Sequence, residues 1–492
     1  MPGLAAGSLV FTTSAVVLIL EILAGRLVAP YVGNSLETYS GVIGTVLAGI
    51  AVGTWLGGWA ADRTDPRRLV GPLLVVGGAL AMVSVPIVRA LGEGSNDAGD
   101  QVLLLSVCAF LPAAAVLSAV APVVIKLQLH DLAATGTVVG RLSALGTTGA
   151  IVGTLLAGFV LIEAAPTSAT VYAIGAGLIV LGVVTWVLLD RFRLGPATVV
   201  AVVVLGGVGL GAVVDDPCQA ETTYHCARID TDPDRDSGRV LWLDTLRHSY
   251  VDVDDPTHLE FAYIELFAAA LDARHPGPEP LDVLHVGGGA LTMPRYLEAT
   301  RAGTRSEVLE IDGQLADLVL DRLPVDEGVD LELRVGDARL LIDDVADGSQ
   351  DVVYGDAFGG LAAPWHLTTR EFVTDVTRVL RPGGIYVANL IDRSPMRFTR
   401  AEARTFADVF GHVVVIAPTT LLEGDGTANV VVIGSDAPFP LDELRRAVTA
   451  VAPGYRVVAG GELVELIGDA PVLTDDFAPV DQWLAQNHPA AS

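Results

Sequence analysis

Lysine is nearly absent from this chain. One residue, Lys126, occurs in 492, and arginine supplies the rest of the 30 basic side chains against 58 acidic ones, for a net charge of −28. A surface this short of cations excludes nucleic acid as a partner, because phosphate backbones are bound through cationic contacts. It also disfavours docking on anionic lipid heads. Cysteine is scarce, with three residues, which excludes a disulfide-stapled scaffold. No Cys/His spacing of the zinc type and no Gly-Lys-Ser phosphate loop is present, so no metal is expected. Acid without lysine reads as adaptation to high salt, where screening relieves self-repulsion; an ordinary acidic soluble domain is the alternative.

What the chain has in excess is apolar length. It is 51% hydrophobic with mean hydropathy +0.52, and the surplus is confined to the first part. Residues 8–30, 38–60, 69–90, 103–125, 142–163, 168–190 and 196–214 each run long enough to cross a bilayer, which takes about 20 apolar residues. Residues 1–214 hold 10 acidic and 9 basic side chains, leaving 48 acidic and 21 basic for the remainder. The chain is thus expected to be a multi-pass helical membrane domain (1–214), a small β-hairpin lobe (215–256) and an α/β domain (257–492). No basic region precedes the first stretch, which is also too long for a cleavable signal. Arg63, Arg67 and Arg68 fall after the second stretch, Lys126 and Arg141 between the fourth and fifth, and Arg191 and Arg193 after the sixth. By the positive-inside rule this alternation leans toward an extracytoplasmic C-terminal domain.

Gly146, Gly149, Gly153 and Gly158 form a small-residue stripe that favours close helix packing. Glu21 and Arg26 are the ionisable residues of the first stretch, and either pair with each other, snorkel to the interface or mark a functional site. Cys218 and Cys226, eight apart, form a disulfide or are two free thiols.

From residue 222 to 253 the chain alternates in the manner of strands. Strands are then expected at 281–286, 305–312, 331–337, 351–356, 383–390, 412–418 and 429–435, with helices between most of them. Such alternation gives an open, mainly parallel sheet that binds ligands at its carboxyl edge. Gly287, Gly288 and Gly289 follow the first of these strands, where glycine lets backbone approach a ligand. Glu310 and Asp312 close the second, about 20 residues on, where an acid can accept ribose hydroxyls. Asp337, followed by Ala338, closes the third and Asp356 the fourth. Acids at successive strand ends converge on one nucleoside-shaped site.

This ordered set resembles the spermidine synthase family of aminopropyltransferases, built on the S-adenosylmethionine methyltransferase (Rossmann-like) fold. The resemblance runs from about 221 to 482 and rests on Glu221-Thr222-Thr223-Tyr224, Leu243-Asp244, Phe261-Ala262-Tyr263, the three glycines, Glu310-Ile311-Asp312, Gly336-Asp337, Asp356 and the closing Leu473–Asp481 segment. With the membrane half it is most similar to that family's fused integral-membrane branch. Gly57–Arg68 resembles the cytoplasmic loop motif of major facilitator transporters. The resemblance implies decarboxylated S-adenosylmethionine as co-substrate, with Glu310 on its ribose, Asp337 on its adenine, Asp356 as the base that takes a proton from an attacking amine such as putrescine, and Tyr263 in the amine channel. A homodimer is also implied.

The chain departs from the family pattern on the amine side. Ala290 stands where the family has Asp, as does Gly359; His248 stands for an expected Gln, and Ile264 for His or Gln. His366, just beyond Asp356, can reach the crevice. Two other functions are therefore open: a methyltransferase using intact S-adenosylmethionine, and a transporter or sensor that binds a nucleoside or polyamine without turnover. The cytosolic origin of the donor and the outward-leaning charge pattern pull in opposite directions.

Overall fold

The computed structural model describes residues 1–33, 36–92, 98–129, 134–190, 216–326, 328–359 and 363–485. The chain divides into two units: Met1–Arg228 with Leu243–Leu246, and Ile229–Trp242 with Arg247–Ser492.

The first unit is helical. It comprises α1 (Gly3–Val32), α2 (Leu36–Arg63), α3 (Arg67–Gly92), α4 (Ala98–Ala109), α5 (Leu111–Ser118), α6 (Val120–Gln128), α7 (Thr135–Leu156) and a last helix, Thr167–Asp190. Among the described residues, six helical segments are long and apolar enough to cross a membrane. The predicted stretch at 103–125 is broken: α4 gives way to α5 beside Pro112, and α6 carries Pro122, each proline lacking the N–H that a continuous helix needs. Its spanning part is Leu111–Gln128. The predicted seventh crossing, 196–214, lies outside the described residues. Several hydroxyls inside this unit are satisfied within their own helix, as when Thr13 donates to the Leu9 carbonyl (2.9 Å) and Ser84 to that of Ala81 (2.7 Å).

The glycine stripe divides in two. A Cβ on Gly149 or Gly153 would collide with the carbonyl of Phe11 or Ala15 on α1, whereas one on Gly158 would meet nothing within 4 Å. The first pair lets α7 pack backbone to backbone on α1. Arg26 does not reach across to Glu21; it donates to the carbonyls of Thr222 (2.6 Å) and Thr223 and to Thr167 Oγ1 (3.3 Å). Near the end of α3, Arg89 pairs with Asp216 at 2.6 Å and Glu221 at 3.6 Å. Cys218 and Cys226 are joined as a disulfide, and Cys108 is free.

A four-stranded sheet in chain order follows, β1 (Ala220–Glu221), β2 (Cys226–Asp232), β3 (Arg235–Leu243) and β4 (Leu246–Asp252), as the alternation predicts. The second unit is built on an eight-stranded sheet of β5 (Asp282–Val286), β6 (Arg305–Glu310), β7 (Asp330–Val335), β8 (Gln350–Gly355), β9 (Leu380–Arg393), β10 (His412–Pro418), β11 (Thr427–Ser435) and β12 (Tyr455–Ala459), in the order β12-β10-β11-β9-β8-β5-β6-β7. Strands β5 to β9 run parallel, while β10, β11 and β12 pair antiparallel. This is a Rossmann-like α/β domain. Seven of its strands match the predicted runs; β12 is an eighth, five residues at the antiparallel edge, too short to register as a pattern. Both faces are covered, so the central strands are buried with no polar alternation, as Val283, Leu284, Val286, Val352 and Val353 show. Strand β5 has β6 and β7 on one side and β8 and β9 on the other, so the order reverses at its carboxyl end and opens a crevice there.

Gly149→Ala or Gly153→Ala is expected to destabilise the first unit by about 1–3 kcal/mol, the usual cost of forcing atoms into a close-packed contact. Gly158→Ala should be silent. Thermal unfolding of the full chain in detergent checks both.

Candidate active site

Four strand ends line up along the crevice, in the spatial order β8, β5, β6, β7. Each continues its neighbour's ladder by one bond: Asp356 N–H donates to the Val286 carbonyl (2.9 Å), Gly287 N–H to that of Leu309 (2.9 Å) and Gly336 N–H to that of Glu310 (2.8 Å). Asp356, the glycine turn, Glu310 and Asp337 therefore stand side by side across three strand spacings, or about 14 Å. That reach suits a nucleoside with a short tail.

The turn needs its glycines. Gly287 and Gly289 have φ of +99° and +48°, and a Cβ on them would lie 2.5 Å from the Asp356 carbonyl and 2.6 Å from Ser249 Oγ. Gly288 N–H donates to Glu310 Oε2 at 2.8 Å, and Asp312 N–H to Glu310 Oε1 at 2.9 Å. Glu310 is thus fixed by backbone donors, and burial, partly offset by those bonds, raises its carboxyl above the usual range. Asp312 turns the other way: it is buried and caps the helix Gly313–Arg322 by accepting from Leu315 N–H at 3.1 Å. Between them Ile311 is 44% exposed, an apolar surface at the crevice that suits the face of a base.

Asp337 caps the short helix that starts at buried Ala338, accepting from Arg339 N–H at 2.9 Å, and lies 3.3 Å from His366 Nε2. His366 thus joins the Asp337 end of the row. Its loop is braced from below: Thr369 Oγ1 donates to Asp475 (2.7 Å), and Arg339 pairs with Asp375 (2.7 Å) and Asp475 (3.2 Å). The closing Leu473–Asp481 segment therefore supports the site.

At the other end Asp356 is half-buried. Tyr263 OH donates to its Oδ2 at 3.2 Å and Asn389 Nδ2 to its Oδ1 at 2.9 Å; Asn429 Nδ2 in turn donates to Asn389 Oδ1 at 3.0 Å. No cation touches it among the described residues. Loss of water pushes its carboxyl up to about 6, against the pull of those two donors. The Tyr263 hydroxyl is raised well above its ordinary range, first by burial and then by Asp356. Asn389 and Asn429 stand in β9 and β11, and the strand pattern does not single them out. The signal available was a polar residue within a buried apolar run, which must find a partner.

Beside Asp356 is a small cavity of about 30 Å³. His248, Ser249, Phe267, Tyr354 and the glycine turn line it, with Asp356 at its wall. His248 lies within 4 Å of the position a Gly289 Cβ would take. Glu310, Asp337 and His366 lie outside this cavity, farther along the crevice. Ala290 is fully buried, and Gly359 opens onto free space.

No family model matches the chain. It is 29% identical over 164 residues to a polyamine aminopropyltransferase of Vibrio vulnificus, covering 33% of this chain and 53% of that one. A polyamine aminopropyltransferase of Bacillus mycoides is 30% identical over 133 residues, 26% and 47% of the two chains. The C-terminal half is similar in sequence to polyamine aminopropyltransferases. The chain spans about half the length of the curated relatives it matches. Among solved structures, a probable spermidine synthase from Corynebacterium glutamicum is 29% identical, over 52% of this chain and 95% of its own, with a TM-score of 0.49. A spermidine synthase in complex with the transition-state analogue AdoDATO is 18% identical, over 46% of this chain and 74% of its own, with a TM-score of 0.36.

Two outcomes follow from the acid at the end of β8. Its folded value, about 6, stands above the ordinary 3.8. Its contribution to stability is therefore complete below about pH 4 and lost as pH rises through 6. Asp356→Asn should stabilise the fold at pH 7 by about 2 kcal/mol, since each pH unit of displacement is worth about 1.4 kcal/mol. Urea unfolding at pH 7 and pH 4 reads this, with the gain confined to the higher pH. Asn389→Ala removes a donor that favours the ionised form, and should move the Asp356 titration upward by about one pH unit. Difference titration against Asp356→Asn measures it.

Proposed function

We propose that the C-terminal half transfers an alkyl group from an S-adenosyl sulfonium, in first place decarboxylated S-adenosylmethionine, to the nitrogen of an amine. The observation that carries this reading is Asp356, a carboxylate held by two neutral donors beside a small cavity at the glycine turn. An amine attacks only when neutral, so a nearby proton acceptor with a value close to working pH is what the chemistry needs. Asp356 at about 6 is ionised at neutral pH and still basic enough to take the proton.

The other residues divide the remaining work. Gly287, Gly288 and Gly289 bring backbone close to the ligand. Glu310, already oriented by two backbone N–H groups, presents its carboxylate to ribose hydroxyls. Asp337, with Ala338 behind it and His366 beside it, accepts from the adenine amine, and Ile311 offers its face to the ring. Asp312 supports this end as a helix cap. Tyr263 and His248 line the side from which the amine arrives. The sulfonium supplies the leaving group, so no electrophile has to be made by the protein.

A second reading is favoured by Ala290. A buried methyl group stands at a position where the resemblance places the carboxylate that grips the donor's terminal ammonium. Its absence removes a repulsion against a donor carboxylate, which suits intact S-adenosylmethionine and methyl transfer.

The chain acts at a membrane, held by its six apolar spans. Within the first unit α3 begins at Arg67 and Arg68, whereas Arg89 near its far end binds Asp216 and Glu221 beside the Cys218–Cys226 disulfide. The positive-inside rule and the oxidised cysteines both favour an extracytoplasmic side for the 216–226 segment.

The full chain in detergent, given decarboxylated S-adenosylmethionine and a panel of amines, should release methylthioadenosine. Asp356→Asn should lower the rate at least 100-fold, within the range general-base catalysis contributes. The rate should rise with pH through about 6, because Asp356 must lose its proton to act. Methylated product from intact donor, with no methylthioadenosine from either donor, would establish the second reading instead.

A further inference from the structure

The cavity next to Asp356 is poor in charge. Its thirteen lining residues include one carboxylate, Asp356, and no lysine or arginine. Ile264, Phe267, Met293, Pro294 and Tyr354 make it apolar and aromatic. Phe267 stacks on Tyr354 at 4.9 Å, and His285 stacks on the same ring at 5.6 Å. His285 bonds Ser306 (3.3 Å), and burial holds it neutral, at about 3.

The loop beyond Asp356 adds nothing. Residues 357–365 read Ala-Phe-Gly-Gly-Leu-Ala-Ala-Pro-Trp, without an acid. Glu260, on the chain that leads to Tyr263, is engaged by Arg247 at 3.1 Å and lies 3.4 Å from His258. A second ammonium in such a cavity would lose its water and gain no counter-charge, whereas one ammonium is matched by Asp356.

We infer that the acceptor is a monoamine with an apolar or aromatic body, not a diamine or polyamine. This rests on the alkyl-transfer reading above and specifies its substrate. The amine enters as an ammonium and gives one proton to Asp356. Its nitrogen lone pair then forms a C–N bond to the sulfonium-bound carbon while the C–S bond breaks. The electron pair of that bond stays on sulfur as a neutral thioether, the positive charge passes to nitrogen, and the proton on Asp356 leaves to solvent.

The test is a comparison of kcat/KM for thioether release by the full chain with butylamine, benzylamine, 1,4-diaminobutane and spermidine, using decarboxylated and intact donors in turn. The monoamines are expected to exceed the diamine at least tenfold. Gly359→Asp places a carboxylate three residues beyond Asp356 at a site open to solvent with no positive φ, where folding is not at risk. It should move the preference at least tenfold toward the diamine. A diamine preference in the unaltered chain overturns the inference while leaving alkyl transfer standing. Thioether release with none of the four amines and neither donor overturns both.

Discussion

One carboxylate, partly withdrawn from water, organises the crevice at the carboxyl edge of the eight-stranded sheet. Asp356 follows β8 and is held from two directions by neutral donors, Tyr263 on the helix Ala262–Arg274 and Asn389 on β9. Among the described residues no cation neutralises it, so burial decides its acidity, and the fold bears the cost of keeping a reluctant anion in place. That cost persists because the sheet around it is over-determined: Val352, Val353, Ile385 and Val387 are buried beneath it and leave the strand end no room to relax.

The rest of the crevice is arranged around the same edge. The switch of strand order at β5 opens the cleft, the glycine turn lets main chain reach into it, and β6 and β7 extend it with two further acids. These acids are not equivalent. Glu310 is locked by backbone N–H groups, Asp337 is shared between a helix cap and a histidine, and Asp356 is held by side chains alone. Environment rather than residue type separates a binding acid from one that can exchange a proton.

Much of this arrangement is legible in the amino-acid sequence, and what is not has physical causes. Acids at strand ends are legible because the strand pattern stops where they begin, which placed Glu310, Asp337 and Asp356 on one edge. The same logic does not foresee that Asp312 also caps a helix: the side chain two residues past a strand end meets the start of the next helix, and its Oδ1 accepts from Leu315 N–H. Asn389 and Asn429 are not singled out by periodicity, which reports only burial; Asn389 is legible as a polar residue in a buried run that must find a partner, whereas Asn429 stands at the partly exposed start of β11. Six of the seven apolar stretches expected from length and composition coincide with helices long enough to cross a membrane, the seventh lying outside the described residues, but the break in the fourth depends on Pro112 and Pro122, which a hydropathy average smooths over. Edge strand β12 is short and antiparallel, and its pairing with β10 is fixed by tertiary register.

The Asn429–Asn389–Asp356 relay has an evolutionary reading. Position 429 lies on β11, beyond the parallel strands that end in Glu310, Asp337 and Asp356, yet it orients the amide that donates to Asp356. Drift at that remote position can retune the acidity of Asp356 for a new habitat while the outline of the crevice stays as it was.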